Sequence, residues 1–98
     1  MKVSEFVNRE NWCQRALAQD EQGKSYYWPY GETICKWCAS GMIIYCYKKD
    51  GEHQKVFKLV KQYLIDHNME PEGNIGRWND RPERTWEDIR DLAITLDI

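Results

Sequence analysis

Apolar residues recur at spacings of three and four along much of the chain, a pattern that predicts amphipathic helices. The four predicted helices cover Ser4–Gln19, Thr33–Tyr47, Glu52–His67 and a last segment that begins at Thr85. A polar run interrupts the first of them and predicts a break near Asn11. Four helices joined by turns predict a mainly α fold: a compact single-domain bundle of about four helices with irregular loops, spanning residues 1–98.

The second predicted helix is apolar over most of its surface, which makes it the candidate for the buried centre of the bundle. Gly41 inside this helix costs about 1 kcal/mol relative to alanine. We expect the close approach of a neighbouring helix to compensate for it. A strand over Met42–Tyr47 is the alternative, because Ile43 and Ile44 favour strands.

The last two predicted helices each carry one apolar stripe. In the third helix the stripe consists of Val56, Leu59, Val60, Tyr63 and Leu64. In the fourth it consists of Ile89, Leu92, Ala93 and Leu96. Thr85 and Asp88 have the spacing of a capping box, with aspartate in place of glutamate.

Three segments lack helical periodicity and are predicted to be loops or irregular: Lys24–Glu32, Asn68–Gly76 and Ile75–Arg84. The first of these contains four aromatic residues around Pro29, which has no amide donor, and Gly31, which favours turns. We therefore expect an aromatic loop there.

Composition narrows the class of protein. The 98 residues suffice for one core, and 42% hydrophobic with 31% charged residues is typical of a globular domain. The net charge of −2 offers no basic field, so we do not expect a nucleic-acid partner. The start of the chain does not resemble a signal peptide, and its longest apolar stretch is far shorter than the ~20 residues of a membrane span. These features predict a cytoplasmic protein whose four cysteines are reduced thiols.

Three stretches of the chain resemble a family of small uncharacterised bacterial and phage proteins that carry a domain of unknown function. The first stretch comprises Trp12, Gln14, Ala16, Ala18, Asp20 and Gly23. The second is Trp37-Cys38-Ala39-Ser40-Gly41. The third comprises Trp78-Asn79-Asp80, Arg84-Thr85 and Asp91-Leu92-Ala93-Ile94.

The resemblance covers nearly the whole chain and keeps the order of the motifs. Arg15 departs from the pattern, which has a small residue there, and the aromatic stretch Tyr26–Tyr30 matches no part of it. The family brings no established activity. The resemblance therefore implies a bacterial or phage source but no mechanism.

The cysteines offer one candidate chemistry. Cys35 and Cys38 form a CxxC pair, and Cys46 and His53 would complete a four-ligand zinc site. A redox pair, or a nucleophilic cysteine paired with His53 or His67, is a further alternative. A lone CxxC without a second pair is more often a set of small apolar thiols near a core, so no cofactor is predicted and these four residues are only a fallback metal site.

The segment Trp78–Thr85 is the densest polar cluster. Asn79, Asp80 and Arg84 beside Trp78 would suit a small-ligand cleft, and we include all four among the candidate binding residues. The structural alternative is a loop in which Trp78 is buried and Asp80 pairs with Arg84.

The aromatic loop supplies the other candidate binding residues: Tyr26, Tyr27, Trp28 and Tyr30. Tyrosine and tryptophan give a large contact area at small entropic cost and are enriched at interface hot spots. The alternative is that these rings fold back onto the core.

These observations favour a binding protein over an enzyme, because no complete catalytic constellation or nucleotide-binding motif is present. We expect a small intracellular accessory protein of a phage or mobile element that binds and modulates a host protein. The alternatives are a thiol or metal protein using Cys35 and Cys38, and a small-ligand-binding enzyme using Trp78–Thr85. The sequence leaves a homodimer open.

Overall fold

The chain folds as an α+β mixture, so the expected four-helix bundle is wrong. The computed structural model describes residues 1–98. In chain order its elements are α1 (Val3–Phe6), β1 (Ala18–Asp20), β2 (Ser25–Tyr26), β3 (Ile34–Trp37), α2 (Ala39–Cys46), α3 (Glu52–Asp66), α4 (Ile75–Asn79) and α5 (Trp86–Leu96). A short 3-10 turn at Lys49–Gly51 precedes α3.

The strands form one antiparallel sheet in the order β2-β1-β3. Ala18 at its centre lies opposite Tyr26 on one side and Trp37 on the other. Trp37 also makes a parallel bridge with Trp12. Strands of two to four residues are too short to show the alternation of apolar and polar residues that predicts a strand. That is why periodicity predicted helices across them.

The first predicted helix stops at Phe6. The Asn8 side chain then accepts hydrogen bonds from the amides of Glu10 and Asn11, both at 2.9 Å, and so forms the turn at which the break was expected. Beyond it the chain does not return to a helix and instead reaches β1 through a series of bends. The prediction of a helix to Gln19 is therefore wrong.

The second predicted helix is in fact a strand followed by a helix. Ile34–Trp37 is β3, and Cys38 caps α2, its sulfur accepting a hydrogen bond from the Gly41 amide at 3.4 Å. The alternative strand from Met42 is wrong. A Cβ on Gly41 would lie 2.3 Å from the Leu17 carbonyl oxygen. The close approach expected at this glycine is thus present, but the neighbour is a loop rather than a helix.

The third and fourth predicted helices are confirmed as α3 and α5. Thr85 and Asp88 form the expected capping box. Leu59 departs from the predicted stripe, since it is 45% exposed. Helix α4 was missed, because its five residues lie in a segment without helical periodicity.

One apolar core joins these elements. Helix α2 packs against α1, α3 and α4, which confirms that it is central, and Met42 and Ile43 on it are fully buried. The core is lined by residues of every helix and includes Trp37 from the sheet. None of the helices has both the length and the apolar character needed to cross a membrane.

Candidate functional site

The aromatic loop is fixed to the protein on both sides of its tip. On the strand side, the Tyr26 hydroxyl donates a hydrogen bond to the Asp20 carboxylate at 3.0 Å. On the other side Pro29 is fully buried, and its carbonyl accepts a hydrogen bond from the Trp37 indole nitrogen at 2.9 Å. Only two residues lie between Tyr26 and Pro29. Their backbone is therefore held in place without their own side chains taking part.

Those two residues are the large aromatic side chains that water reaches most freely. Tyr27 is 99% exposed and Trp28 is 61% exposed. An indole left this open contributes little to burial of the core. Folding back onto the core was the alternative for this loop, and it applies to Tyr26 and Tyr30, which are half-buried, but not to the two residues at the tip.

Trp28 stands at the outer end of a column of rings. Its ring meets Tyr30 edge-on, with centroids 5.3 Å apart, and Tyr30 lies 6.0 Å from Tyr45. Tyr45 in turn packs on Trp37 and Phe6, at 5.0 and 5.3 Å. The column supports Trp28 from below and connects it to the core. Tyr27, Trp28, Tyr30 and Tyr45 are called the aromatic surface below.

The Tyr30 hydroxyl adds a polar anchor to this column. It donates a hydrogen bond to the Ile44 carbonyl at 3.0 Å. Burial raises the pKa of this hydroxyl above its ordinary value of 10.0, so it stays protonated and keeps donating at neutral pH.

Two lysines lie against the rings. The Lys48 ammonium is 5.5 Å from the Tyr30 centroid and 5.2 Å from that of Tyr45. The Lys24 ammonium is 5.5 Å from the Tyr26 centroid. These are cation–π distances. Neither ammonium forms an ion pair with a carboxylate of the chain.

An acidic groove of about 400 Å³ lies between the β1–β2 turn and the start of β3. Its carboxylates are those of Asp20, Glu21 and Glu32, and no lysine or arginine lines it. Asp20 accepts hydrogen bonds from the backbone amides of Lys24 and Gln22 and from the Tyr26 hydroxyl. These bonds, that of the Lys24 amide first, lower the pKa of Asp20 below its ordinary value and keep it ionised.

The segment Trp78–Thr85 does not form one cleft. Trp78 and Arg84 line a groove of about 200 Å³ together with residues of α3 and α5, whereas Asn79 and Asp80 lie outside it. The Arg84 guanidinium covers the Trp78 ring at 4.2 Å and its Nε donates to the Trp78 carbonyl at 2.9 Å. The carboxylate that pairs with Arg84 is that of Asp88, at 3.5 Å. The predicted pairing of Asp80 with Arg84 is therefore wrong.

Asn79 is completely buried and has a hydrogen bond for each lone pair and proton of its amide. Its oxygen accepts from the Trp12 indole at 2.8 Å and from the Ala39 amide at 3.0 Å. Its nitrogen donates to the Cys13 carbonyl at 3.2 Å and to Asp80 at 2.9 Å. No polar atom of this side chain remains for a ligand, so Asn79 joins three segments of the chain rather than forming a binding site.

Asp80 extends the same network to a strained residue. Its carboxylate accepts a hydrogen bond from the Arg15 amide at 2.9 Å, and Arg15 has a φ of 65°. Left-handed backbone is uncommon outside glycine, so this hydrogen bond helps to hold Arg15 in that conformation. Asp80 therefore stabilises the bend before β1.

The four cysteines are free and do not converge on a metal site. No group of three or more His, Cys, Asp or Glu side chains has an arrangement that would hold a metal ion. Cys38 and Cys46 lie at opposite ends of α2, about 12 Å apart along the helix axis. The fallback set of Cys35, Cys38, Cys46 and His53 is thus not brought together.

Burial makes three of the thiols poor nucleophiles. It raises the pKa of Cys13 to about 12 and that of Cys46 to about 11, and it raises the pKa of Cys38 as well. No thiol makes a hydrogen bond with His53 or His67. His67 instead stacks on Tyr63, with centroids 3.9 Å apart.

Sequence reasoning missed several residues that matter here. Tyr45 belongs to the aromatic surface, and Lys48 lies against that surface, only through the tertiary fold, since both are far along the chain from Trp28. Glu70 is a completely buried carboxylate that accepts the amides of Glu72 and Asn74, at 2.9 and 2.8 Å. Nothing in the sequence around Glu70 distinguishes it from an exposed glutamate, so its role in holding the following turn was not predictable.

Comparison with known proteins gives one match. The Family of unknown function (DUF6197) matches residues 2–93 of the chain. No curated protein and no solved structure matches it. The match confirms the resemblance to an uncharacterised domain-of-unknown-function family that the sequence indicated.

Proposed function

Because the chain belongs to the DUF6197 family, a family of unknown function, its role has to be inferred from its own surface, and we propose that it binds another protein through the aromatic surface. The observation that carries this proposal is the exposure of Tyr27 and Trp28 at the tip of a loop anchored on both sides. An exposed aromatic pair between two anchored residues binds at lower entropic cost than one on a free loop, because its backbone has less freedom left to lose.

The wider proposal is that the protein is an intracellular accessory of a phage or mobile element and modulates the host protein it binds. Four free cysteines are consistent with a reducing compartment. Small size and the absence of a converging catalytic set favour action by contact with a partner over catalysis.

The experiment compares capture by the wild-type chain with capture by Trp28→Ala and Tyr27→Ala, using lysate of the source cell and quantitative mass spectrometry. The matched control is Ile94→Ala, because Ile94 is 60% exposed on α5 and is not part of the aromatic surface. We expect one protein to be captured by the wild type and the control but lost with both loop variants. Circular dichroism confirms that each variant is folded.

Two results would contradict the proposal. One is the absence of any captured protein, and the other is a captured set that the loop variants leave unchanged. A homodimer through the same surface is a distinguishable result: the wild type would then sediment as a dimer and Trp28→Ala as a monomer. A hot-spot aromatic contributes about 2 kcal/mol or more, so its loss weakens binding by roughly 30-fold.

A further inference from the structure

We propose that the partner presents an acidic segment, with an Asp or Glu carboxylate placed against Lys48 and an apolar side chain placed against Trp28. This inference rests on the proposed function and names the chemistry of the partner. The structural basis is the position of an unpaired cation over the half-buried rings of Tyr30 and Tyr45, the first of which also contacts the exposed Trp28.

Lys48 is a cation without a counter-ion. It is exposed, and its ammonium lies over the rings of Tyr30 and Tyr45 at 5.5 and 5.2 Å. No carboxylate of the chain pairs with it. Contact with two rings restricts the positions of a long side chain before any partner arrives, so less entropy is lost when a carboxylate binds.

Lys48 and Trp28 are close enough for one short segment to contact both. Each lies against Tyr30, Trp28 with its ring at 5.3 Å and Lys48 with its ammonium at 5.5 Å from the same centroid. The side chains of two adjacent or next-but-one residues of an extended peptide can therefore reach the Trp28 ring and the Lys48 ammonium together. A carboxylate and an apolar side chain close together in sequence would therefore fit this surface.

The charges of the acidic groove favour one orientation of a partner bound at the aromatic surface. Glu21 and Glu32, the exposed carboxylates near the loop in sequence, line that groove together with Asp20. An acidic segment is repelled from the groove and attracted to Lys48, so the charges favour one orientation of the partner. A basic segment would instead meet an uncompensated ammonium at the rings.

A single-stranded nucleic acid also stacks on exposed aromatic rings, but it needs a continuous basic groove that follows its phosphates. This chain has a net charge of −2 and an acidic groove beside the loop. Charge therefore favours an acidic protein segment as the occupant.

The experiment is a selection from a random peptide library on the immobilised full-length chain, with Trp28→Ala as the counter-selection target. We expect the enriched peptides to share an Asp or Glu within two residues of an aromatic or aliphatic side chain. Changing that carboxylate to its amide should weaken binding to the wild type by about tenfold, measured by calorimetry. Lys48→Gln should bind the acidic peptide and its amide copy equally.

Lys58→Gln is the matched control, since Lys58 is an exposed lysine on α3, and it should keep the tenfold preference. Enriched peptides that are basic or neutral, or a preference that survives in Lys48→Gln, would overturn the inference while leaving the aromatic surface as a binding site. A selection that yields no Trp28-dependent peptide counts against both proposals. Tight binding of the oligonucleotide dT12 that Trp28→Ala removes would replace the acidic segment with a nucleic acid.

Discussion

Trp28 and Trp78 lie in segments that are both rich in aromatic or polar residues, yet the fold uses them in opposite ways. Trp78 is 2% exposed, is covered by Arg84, and is followed by an asparagine whose every polar atom is bonded inside the protein. Trp28 is 61% exposed and its loop is anchored by other residues. The side chains around Trp78 stabilise the fold, whereas those at the tip of the aromatic loop remain exposed and available to a partner.

The two tryptophans should differ most in what they contribute to the stability of the fold. Trp78→Ala should reduce the free energy of unfolding by about 4 kcal/mol, because it empties a well-packed site. Trp28→Ala should reduce it by only about 1 kcal/mol, the contribution of one aromatic pair with Tyr30. Urea unfolding of both variants, followed by circular dichroism, gives the two values. Equal losses would show that the two segments do not differ as described, and Trp78→Phe serves if Trp78→Ala does not fold.

Asn79→Ala tests the polar half of the same contrast. The change leaves the Trp12 indole, the Ala39 amide and the Cys13 carbonyl without their partner in a buried site. We expect a loss of about 3 kcal/mol in urea unfolding. Gln54→Ala on the exposed side of α3 is the control and should stay within about 0.5 kcal/mol of the wild type. A loss at Asn79 as small as that of the control would refute its structural role.

Gly41→Ala tests the close contact between α2 and the bend that precedes β1. Alanine is ordinarily the better helix residue by about 1 kcal/mol, but its Cβ would lie 2.3 Å from the Leu17 carbonyl oxygen. We expect a net destabilisation of about 2 kcal/mol from the forced displacement of backbone. The control is Gly76→Ala in α4, where the nearest atom would be 3.3 Å away on a side chain. A stabilised Gly41→Ala variant would contradict the contact.

The smallest effect concerns the anchor of the aromatic loop. The pKa of Asp20 is lowered in the folded protein, so the stability it contributes is fully present above its ordinary value of 3.8 and is lost as the pH falls through the lowered value. Asp20→Asn should therefore lose part of the acid destabilisation seen between pH 5 and about pH 2 in wild-type urea unfolding. Identical pH slopes for the two chains would show that Asp20 does not anchor the loop through its charge.

The sequence predicted well those parts of the fold that depend on local interactions. Thr85 and Asp88 form their capping box within one turn, and the stripe of α3, apart from Leu59, follows from the spacing of its own residues, so both were predictable. The sheet was not, because Ala18 pairs with Tyr26 and Trp37 through contacts that short strands do not encode locally. Proximity along the chain likewise could not reveal that Lys48 meets Tyr30, or that Asn79 meets Trp12.

The candidate site divides in the same way. The aromatic loop was predicted from the sequence, because Pro29 lacks an amide donor and Gly31 favours turns within a run of four aromatic residues. Which rings stay exposed depends on Asp20, Trp37 and Ile44, which anchor Tyr26, Pro29 and Tyr30 through the tertiary structure. Asn79 and Asp80 were predicted to bind a ligand because they are polar, but their hydrogen bonds are made within the protein and stabilise its fold.

Whether Trp28 binds a partner is decided by the dissociation constant of the captured protein for Trp28→Ala, measured at a temperature where wild type and variant are both fully folded. We expect binding roughly 30-fold weaker than wild type with a loss of only about 1 kcal/mol in unfolding free energy. An unchanged dissociation constant for a folded Trp28→Ala variant would contradict the proposal that Trp28 binds the partner.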